Sequence, residues 1–349
     1  MRRSARALPP QRLGNTRFCF TVAAMTARAA EPDFTLVDPE LRAALAAMPP
    51  LDFAAQFRDG KRLPQPEIRD APPRPDIRIE EEMAPGLAGA PAVKVLVINR
   101  GAENRLRPAV LFMHGGGYIG GSIWRQLFRM QDTAKAHDCV VVSVDYRVAP
   151  ETPFPGARDD CYAALIWLRD NAARLGVDAA RIVMLGESAG GGLAAQVALL
   201  ARERGGLPIL AQVLVYPMLD DRTGTADSVP PHIGTHVWTR ASNRFGWKCY
   251  LGVEPGGNDA PAGAVPAREV DLAGLPPAWI GVGGLDLFVT ENIAFAERLM
   301  AAGVATELLV VPGAYHGFNR SAPGAAVSKS FDAAWNDALA RYFAAALPR

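Results

Sequence analysis

Between residues 77 and 345 the chain alternates short apolar runs with longer stretches in which apolar positions recur every three or four residues. The runs at 77–83, 93–98, 109–113, 140–144, 182–185, 209–216, 278–282 and 307–311 read as strands. Several are unbroken Val, Ile and Leu, the pattern of strands covered on both faces in a parallel sheet. Helical spacing falls between them, at 159–174, 189–204, 242–251, 291–302 and 328–345. Strands alternating with helices in this way predict one doubly wound α/β sheet. Ahead of it, Asp38-Pro39-Glu40 opens a helical pattern through Leu41 and Leu45 that Pro49-Pro50 stops; Asp caps and Pro suits the first turn. Residues 60–76, rich in Pro and charge, read as a connector. Residues 220–239 break the rhythm and read as an excursion over the top of the sheet.

Composition narrows the function classes. With 349 residues, 49% apolar and 21% charged, the chain is globular, and neither disordered nor collagen-like. The net charge of +1 supplies no field to recruit nucleic acid or acidic lipid. Cys19, Cys139, Cys161 and Cys249 are scattered, without CxxC and without metal-ligand spacing. They read as reduced thiols of a cytoplasmic protein, and no metal is expected. No run of 18 apolar residues is present, so no membrane span is expected. Arg2, Arg3, Arg6 and Arg12 precede a short apolar run at 18–25 and then Ala27-Arg28-Ala29. That is a weak secretory signal. The favoured reading is a disordered extension over 1–31, with Met25 as a plausible start; secretion is the alternative if residues 1–29 are a signal peptide.

Three motifs carry chemistry. Gly186-Glu187-Ser188-Ala189-Gly190 closes the predicted strand at 182–185 and opens the helix at 189–204. That is G-x-S-x-G in the strand–turn–helix setting that lifts a serine hydroxyl above a sheet. Side chains at the flanking glycines would collide with neighbouring backbone. The second is His114-Gly115-Gly116-Gly117-Tyr118, directly after the strand at 109–113. Glycine leaves backbone N–H groups unobstructed to hold an oxyanion. Gly115, Gly117 and Gly120 also spell G-x-G-x-x-G, but residues 118–122 read as loop where a dinucleotide site needs a helix. No cofactor is expected.

The third signal is order, since the triad on this kind of sheet runs Ser, acid, His. Of five histidines, His316 alone follows a late strand, in Gly313-Ala314-Tyr315-His316-Gly317-Phe318. Asp286 follows the strand at 278–282 and a Gly283-Gly284 turn, thirty residues before it. Asp220 is the competitor, placed after the strand at 209–216. Asp271 precedes its strand and falls at the wrong edge. Glu291 opens a helix, where the helix dipole alone explains a carboxylate.

The chain resembles the bacterial hormone-sensitive-lipase family of α/β-hydrolases, the family IV esterases. The residues that carry the resemblance are His114–Gly117, Asp145-Tyr146-Arg147-Val148-Ala149-Pro150-Glu151, Phe154-Pro155, Gly186–Gly191, Leu285-Asp286-Leu287 and Tyr315-His316-Gly317-Phe318. The resemblance extends from about residue 33 to the C-terminus. The resemblance implies an α/β-hydrolase fold over 32–349: a mostly parallel eight-stranded sheet, helices on both faces and a small helical cap from about 33–60 and 220–250. It implies Ser188 as nucleophile, His316 as base and Asp286 as orienting acid. The N–H groups of Gly116, Gly117 and Ala189 would form the oxyanion hole, supported by His114, Gly115, Gly186 and Gly190. Two departures stand out: the family usually has Asp or Thr where this chain has Glu187, and often Asp-Pro-Leu where it has Asp286-Leu287-Phe288.

The remaining residues take structural readings. Tyr146, Arg147 and Glu151 hold a turn by charge-assisted hydrogen bonds. Trp238, Trp247 and Trp279 pack the core or cap. Asp220-Asp221 lies in a solvated loop. The expected activity is a serine carboxylesterase cleaving short- to medium-chain acyl esters through an acyl-enzyme, with no partner beyond a small acyl-ester substrate except a second copy in a homodimer. An amidase or deacetylase on the same fold is the alternative, and a non-catalytic receptor the more distant one.

Overall fold

The computed structural model describes residues 34–49, 53–58, 61–62, 72–102, 104–205, 207–225 and 229–345. The proposed extension over 1–31, including Met25, lies outside them, as does most of the 60–76 connector. From Thr35 onward the chain forms one compact unit. Helix α1 (Pro39–Ala47) starts where Asp38 caps it, the carboxylate accepting from Glu40 N–H at 2.8 Å. Two short strands, β1 (Phe57–Arg58) and β2 (Lys61–Arg62), pair antiparallel.

The main sheet has eight strands: β3 (Ile79–Ala84), β4 (Val93–Ile98), β5 (Arg107–Met113), β6 (Val140–Asp145), β7 (Val177–Glu187), β8 (Ala211–Val215), β9 (Ala278–Gly283) and β10 (Thr306–Val311). Their spatial order is β10-β9-β8-β7-β5-β6-β4-β3. Pairings from β6 through β10 are parallel, and β3 and β4 join antiparallel at one edge. Central strands β5, β8 and β9 are buried at every position, Arg107 of β5 and Gln212 of β8 included, as their largely apolar sequences favour. Helices α3 (Gly156–Asp170) and α5 (Ala189–Arg204) pack together over β4–β8. Helices α2 (Leu127–Ala136) and α9 (Ala326–Ala344) cover β4–β9, and α7 (Val289–Ala301) lies on β9 and β10.

All eight expected strands are present, and β7 starts five residues earlier than its apolar run. The helical pattern at 159–174 is two helices, α3 and α4 (Ala172–Leu175), broken at Asn171. Helix α2 is an addition to the sequence reading. Its buried face includes Gln131 and Thr133, so an apolar count misses it. Gln131 is fully buried because its amide donates to Arg74 O and Ile77 O and accepts from Arg74 N–H.

Register positions the site. Met113 at the end of β5 pairs with Gly186 of β7, so His114–Gly117 emerge level with Glu187 and Ser188. Glu187 pairs with Val215, Val215 with Gly281, and Gly283 with Val311. The segments carrying Asp286 and His316 therefore leave the same sheet edge, the C-terminal edge where open α/β sheets build their sites.

Candidate active site

Ser188 sits between β7 and α5 at φ 56°, ψ −121°, a conformation few non-glycine residues adopt. Its N–H donates to Val215 O at 2.9 Å, and its carbonyl accepts from Gly192 and Met218 N–H. The neighbouring backbone leaves no room beside it. A Cβ on Gly186 would meet Gly190 O at 2.2 Å, and one on Gly190 would meet Met113 O at 2.0 Å.

Ser188 Oγ lies 3.0 Å from His316 Nε2, and His316 Nδ1 lies 2.7 Å from Asp286 Oδ2. All three residues are buried, with Ser188 6% and His316 8% exposed. The second carboxylate oxygen, Asp286 Oδ1, accepts from Phe288 N–H at 2.9 Å, which fixes the carboxylate plane. Both nitrogens of His316 are thus engaged, so Nδ1–H pointing at Asp286 leaves Nε2 to accept from the serine. The ring is enclosed by Tyr216, Phe288 and Trp238, with centroids 4.8, 5.2 and 6.4 Å away. Asp220 binds Arg222 instead.

The glycine loop lies against the serine: a Cβ on Gly115 would be 3.3 Å from Ser188 Cβ. Among the described residues, the N–H groups of Gly116, Gly117 and Ala189 make no backbone hydrogen bond. Ala189 is the first residue of α5, where the helix dipole adds positive potential. His114 supports the loop from below. It is stacked on Tyr146 at 4.2 Å, and Tyr146 Oη donates to His114 O at 2.6 Å. Burial pushes the His114 imidazole down to about 4, so it is neutral near pH 7.

Of the residues expected from sequence, Ser188, His316 and Asp286 are brought together, Gly116 and Gly117 follow Gly115, which lies against Ser188, and Ala189 follows the serine in the chain. The sequence favours packing over a substrate platform for Trp238, and Trp238 stands against both Gly117 and His316. Nothing in the local sequence distinguishes it from Trp247 and Trp279, which are fully buried. Arg147 holds its turn through a bidentate bond to buried Asp160, at 2.8 and 2.7 Å.

Two carboxylate readings are corrected. Asp221 is not in a solvated loop. It is 1% exposed, grips Arg268 bidentately at 2.7 and 2.8 Å, and accepts from Gly256 N–H. Adjacent acidic residues look alike in sequence, and only the distant Arg268 separates them. Glu291 is also buried, and its carboxylate accepts from Leu219 and Asp220 N–H at 2.6 and 3.3 Å rather than merely facing a helix end. Burial holds its carboxyl well above the usual carboxylate range.

Among the described residues, no cluster of His, Cys, Asp and Glu could hold a metal ion, and no helix is long and apolar enough to cross a membrane.

A family profile described as the alpha/beta hydrolase fold matches residues 110–320. Esterase LipI of Mycobacterium tuberculosis is 34% identical over 291 residues, covering 81% of this chain and 88% of LipI. Carboxylesterase NlhH of the same organism is 36% identical over 304 residues, covering 83% and 90%. Among solved structures, a bacterial heroin esterase superposes with a TM-score of 0.79 at 36% identity, over 89% of this chain and 99% of that one. Esterase LipW from Mycobacterium marinum superposes with a TM-score of 0.69 at 35% identity, over 76% and 82%.

Proposed function

This chain belongs to the hormone-sensitive-lipase-like family of α/β-hydrolases and is a carboxylic ester hydrolase, and from that premise we propose that it cleaves short- to medium-chain acyl esters through a Ser188 acyl-enzyme. The observation that carries the reading is the unbroken line from Ser188 Oγ to His316 to Asp286, at 3.0 and 2.7 Å, beside three N–H groups with no backbone partner.

The chemistry follows from that line. Ser188 Oγ attacks the ester carbonyl as His316 Nε2 takes its proton. Asp286 holds the imidazole in the tautomer that can accept and stabilises the imidazolium that forms. The N–H groups of Gly116, Gly117 and Ala189 receive the charge that develops on the carbonyl oxygen. His316 returns its proton to the leaving alkoxide, and the acyl-enzyme remains. Water then attacks, giving its proton to His316, which passes it to Ser188 Oγ as the acyl–oxygen bond breaks and the acid departs. Phe53 and Phe57 on one side and Trp238 and Phe245 on the other cap the site: Phe53 packs edge-on against Trp238 at 4.8 Å, and Phe57 lies 5.4 Å from Phe245. These aromatic walls and the low exposure of Ser188 favour a small acyl group.

Rates on p-nitrophenyl esters from acetate to palmitate, for the native chain and Ser188→Ala, test the proposal. Turnover should peak at short to medium chains, and the variant should stay folded yet lose several orders of magnitude. A variant retaining more than about a tenth of the rate overturns Ser188 as nucleophile. A maximum at palmitate overturns the substrate class.

A further inference from the structure

A second buried cluster lies behind the nucleophile turn, and the hydrolysis scheme leaves it unused. Glu187, between Gly186 and Ser188, is 2% exposed. Its Oε2 accepts from Gln126 Nε2 at 2.9 Å and from Tyr216 Oη at 3.4 Å, and lies 3.8 Å from Arg320 Nη1. Arg320 and Asn319 belong to α8 (Phe318–Ser321), which begins two residues after His316. Tyr216 Oη is shared with Asn319 Oδ1 at 3.2 Å, and the Tyr216 ring packs on His316. Asn319 and Arg129 in turn donate to Asp332 Oδ1 at 2.7 and 2.9 Å. Two routes thus run from the carboxylate beside the nucleophile to the segment that carries the base.

Resting on the proposed triad, we propose that Glu187 is a positioning residue which, with Arg320, locks the His316 segment in register with Ser188. A carboxylate is costly to bury unless it is paired, and Glu187 has both a charged partner and neutral donors. Aspartate, shorter by one methylene or about 1.5 Å, would not span the same gap. The cluster also balances charge behind the base, with Glu187 and Asp332 facing Arg129 and Arg320. The other titratable groups around His316 are Asp286, Ser188 and Tyr216; His114 is neutral and feels Arg320, and His236 lies against the neighbouring Tyr315. Removing the Glu187 charge disfavours the imidazolium and removing the Arg320 charge favours it. The two partners therefore have opposite electrostatic effects and the same geometric effect.

The test measures kcat, KM and the pH profile of kcat/KM on p-nitrophenyl butyrate for Glu187→Gln, Arg320→Met and the double variant, per folded protein judged by circular dichroism. Each single variant should lower kcat about tenfold or more with KM nearly unchanged, since substrate binding is untouched and the attack geometry is loosened. The acid limb should move down by about half a unit in Glu187→Gln and up by a similar amount in Arg320→Met. The double variant should be no slower than the worse single one, because both break one link. Shifts of the acid limb in the same direction, loss confined to KM, or strictly multiplicative losses overturn the proposal. If Glu187→Gln does not fold, Arg320→Met carries the test, and Arg320→Lys should restore the native acid limb. Ser188→Ala separates the two readings. Activity surviving in Ser188→Ala overturns the triad itself, whereas an inactive Ser188→Ala beside native-like Glu187 and Arg320 variants overturns the link alone.

Discussion

Trp238 touches Gly117: a methyl group placed on that glycine would fall 2.1 Å from Trp238 Cη2. The indole cannot easily yield. Its Nε1–H donates to Asn243 Oδ1 at 3.1 Å, and Asn243 Nδ2 donates to Thr223 O at 2.7 Å. Asn243 lies in α6 (Arg240–Leu251), so that helix sets the clearance above the glycine loop.

Gly117→Ala should therefore push the loop away from Ser188. Gly117 also holds φ +61°, which strains any other residue. Turnover of p-nitrophenyl butyrate should fall by about a hundredfold, the usual cost of a lost oxyanion donor. Circular dichroism should remain native, and an unchanged kcat would remove Gly117 from the oxyanion site.

Trp238→Leu should widen the same space. The ratio of kcat/KM for p-nitrophenyl octanoate over butyrate should rise by about tenfold, the scale of discrimination by one or two methylenes. A ratio equal to that of the native chain would mean that Trp238 does not bound the substrate.

Asp286→Asn should keep the shape but favour the wrong imidazole tautomer, cutting turnover by about a thousandfold or more. Asp220→Asn should cost little, because Asp220 pairs with Arg222, which is half exposed. Reversed outcomes in the same esterase assay would make Asp220 the acid.

Asp221→Ala should act on stability alone. Its side chain is fully buried against Arg268, and removing one partner strands the other charge. Denaturant titration should show a loss of about 3 kcal/mol, with kcat of the folded fraction unchanged. A loss well below 1 kcal/mol would mean that the pair is solvated in solution.

Stability should decline towards both ends of the pH range, for opposite reasons. His114 is held down at about 4 by burial, against an ordinary value near 6.5. Between those two values the unfolded chain binds a proton that the folded chain refuses. Stability is thus full above about pH 6.5 and falls by about 3 kcal/mol as pH drops to 4. Glu291 is shifted upward by burial, so its contribution is full below the usual carboxylate range and is lost as pH rises above it. Glu291→Gln, which resembles the protonated acid, should flatten the decline that begins above the usual carboxylate range. Chemical denaturation across pH reads both slopes, and an unaltered slope on that side in Glu291→Gln would overturn the assignment.

What was legible in the sequence was whatever depends on near neighbours. Unbroken runs such as 109–113 and 278–282 had to be strands buried on two faces, and G-x-S-x-G after a strand had to be a sharp turn. That His316 and Asp286 would meet beside Ser188 was legible through chain order. What escaped depends on distant partners. Helix α2 buries Gln131 against the backbone of residues 74 and 77, Asp221 is desolvated by an arginine 47 residues away, and Glu187 meets Arg320 across 133 residues. A polar side chain that finds its partner through the tertiary fold looks, in one dimension, like any surface residue.

The hydrogen bond between Ser188 and His316 spans 128 residues of chain. During synthesis the glycine loop and Ser188, the proposed nucleophile, leave the ribosome first, and His316, its proposed base, follows only after β8, β9 and β10. At about 5–20 residues per second that interval lasts on the order of ten seconds. On that proposal the serine has no proton acceptor through it, and the nascent chain should be chemically silent. On the proposed triad, hydrolytic power arrives only after the last sheet strand, with His316, and a chain released at residue 311 should carry an inert Ser188, readable as no burst of p-nitrophenol from the released fragment.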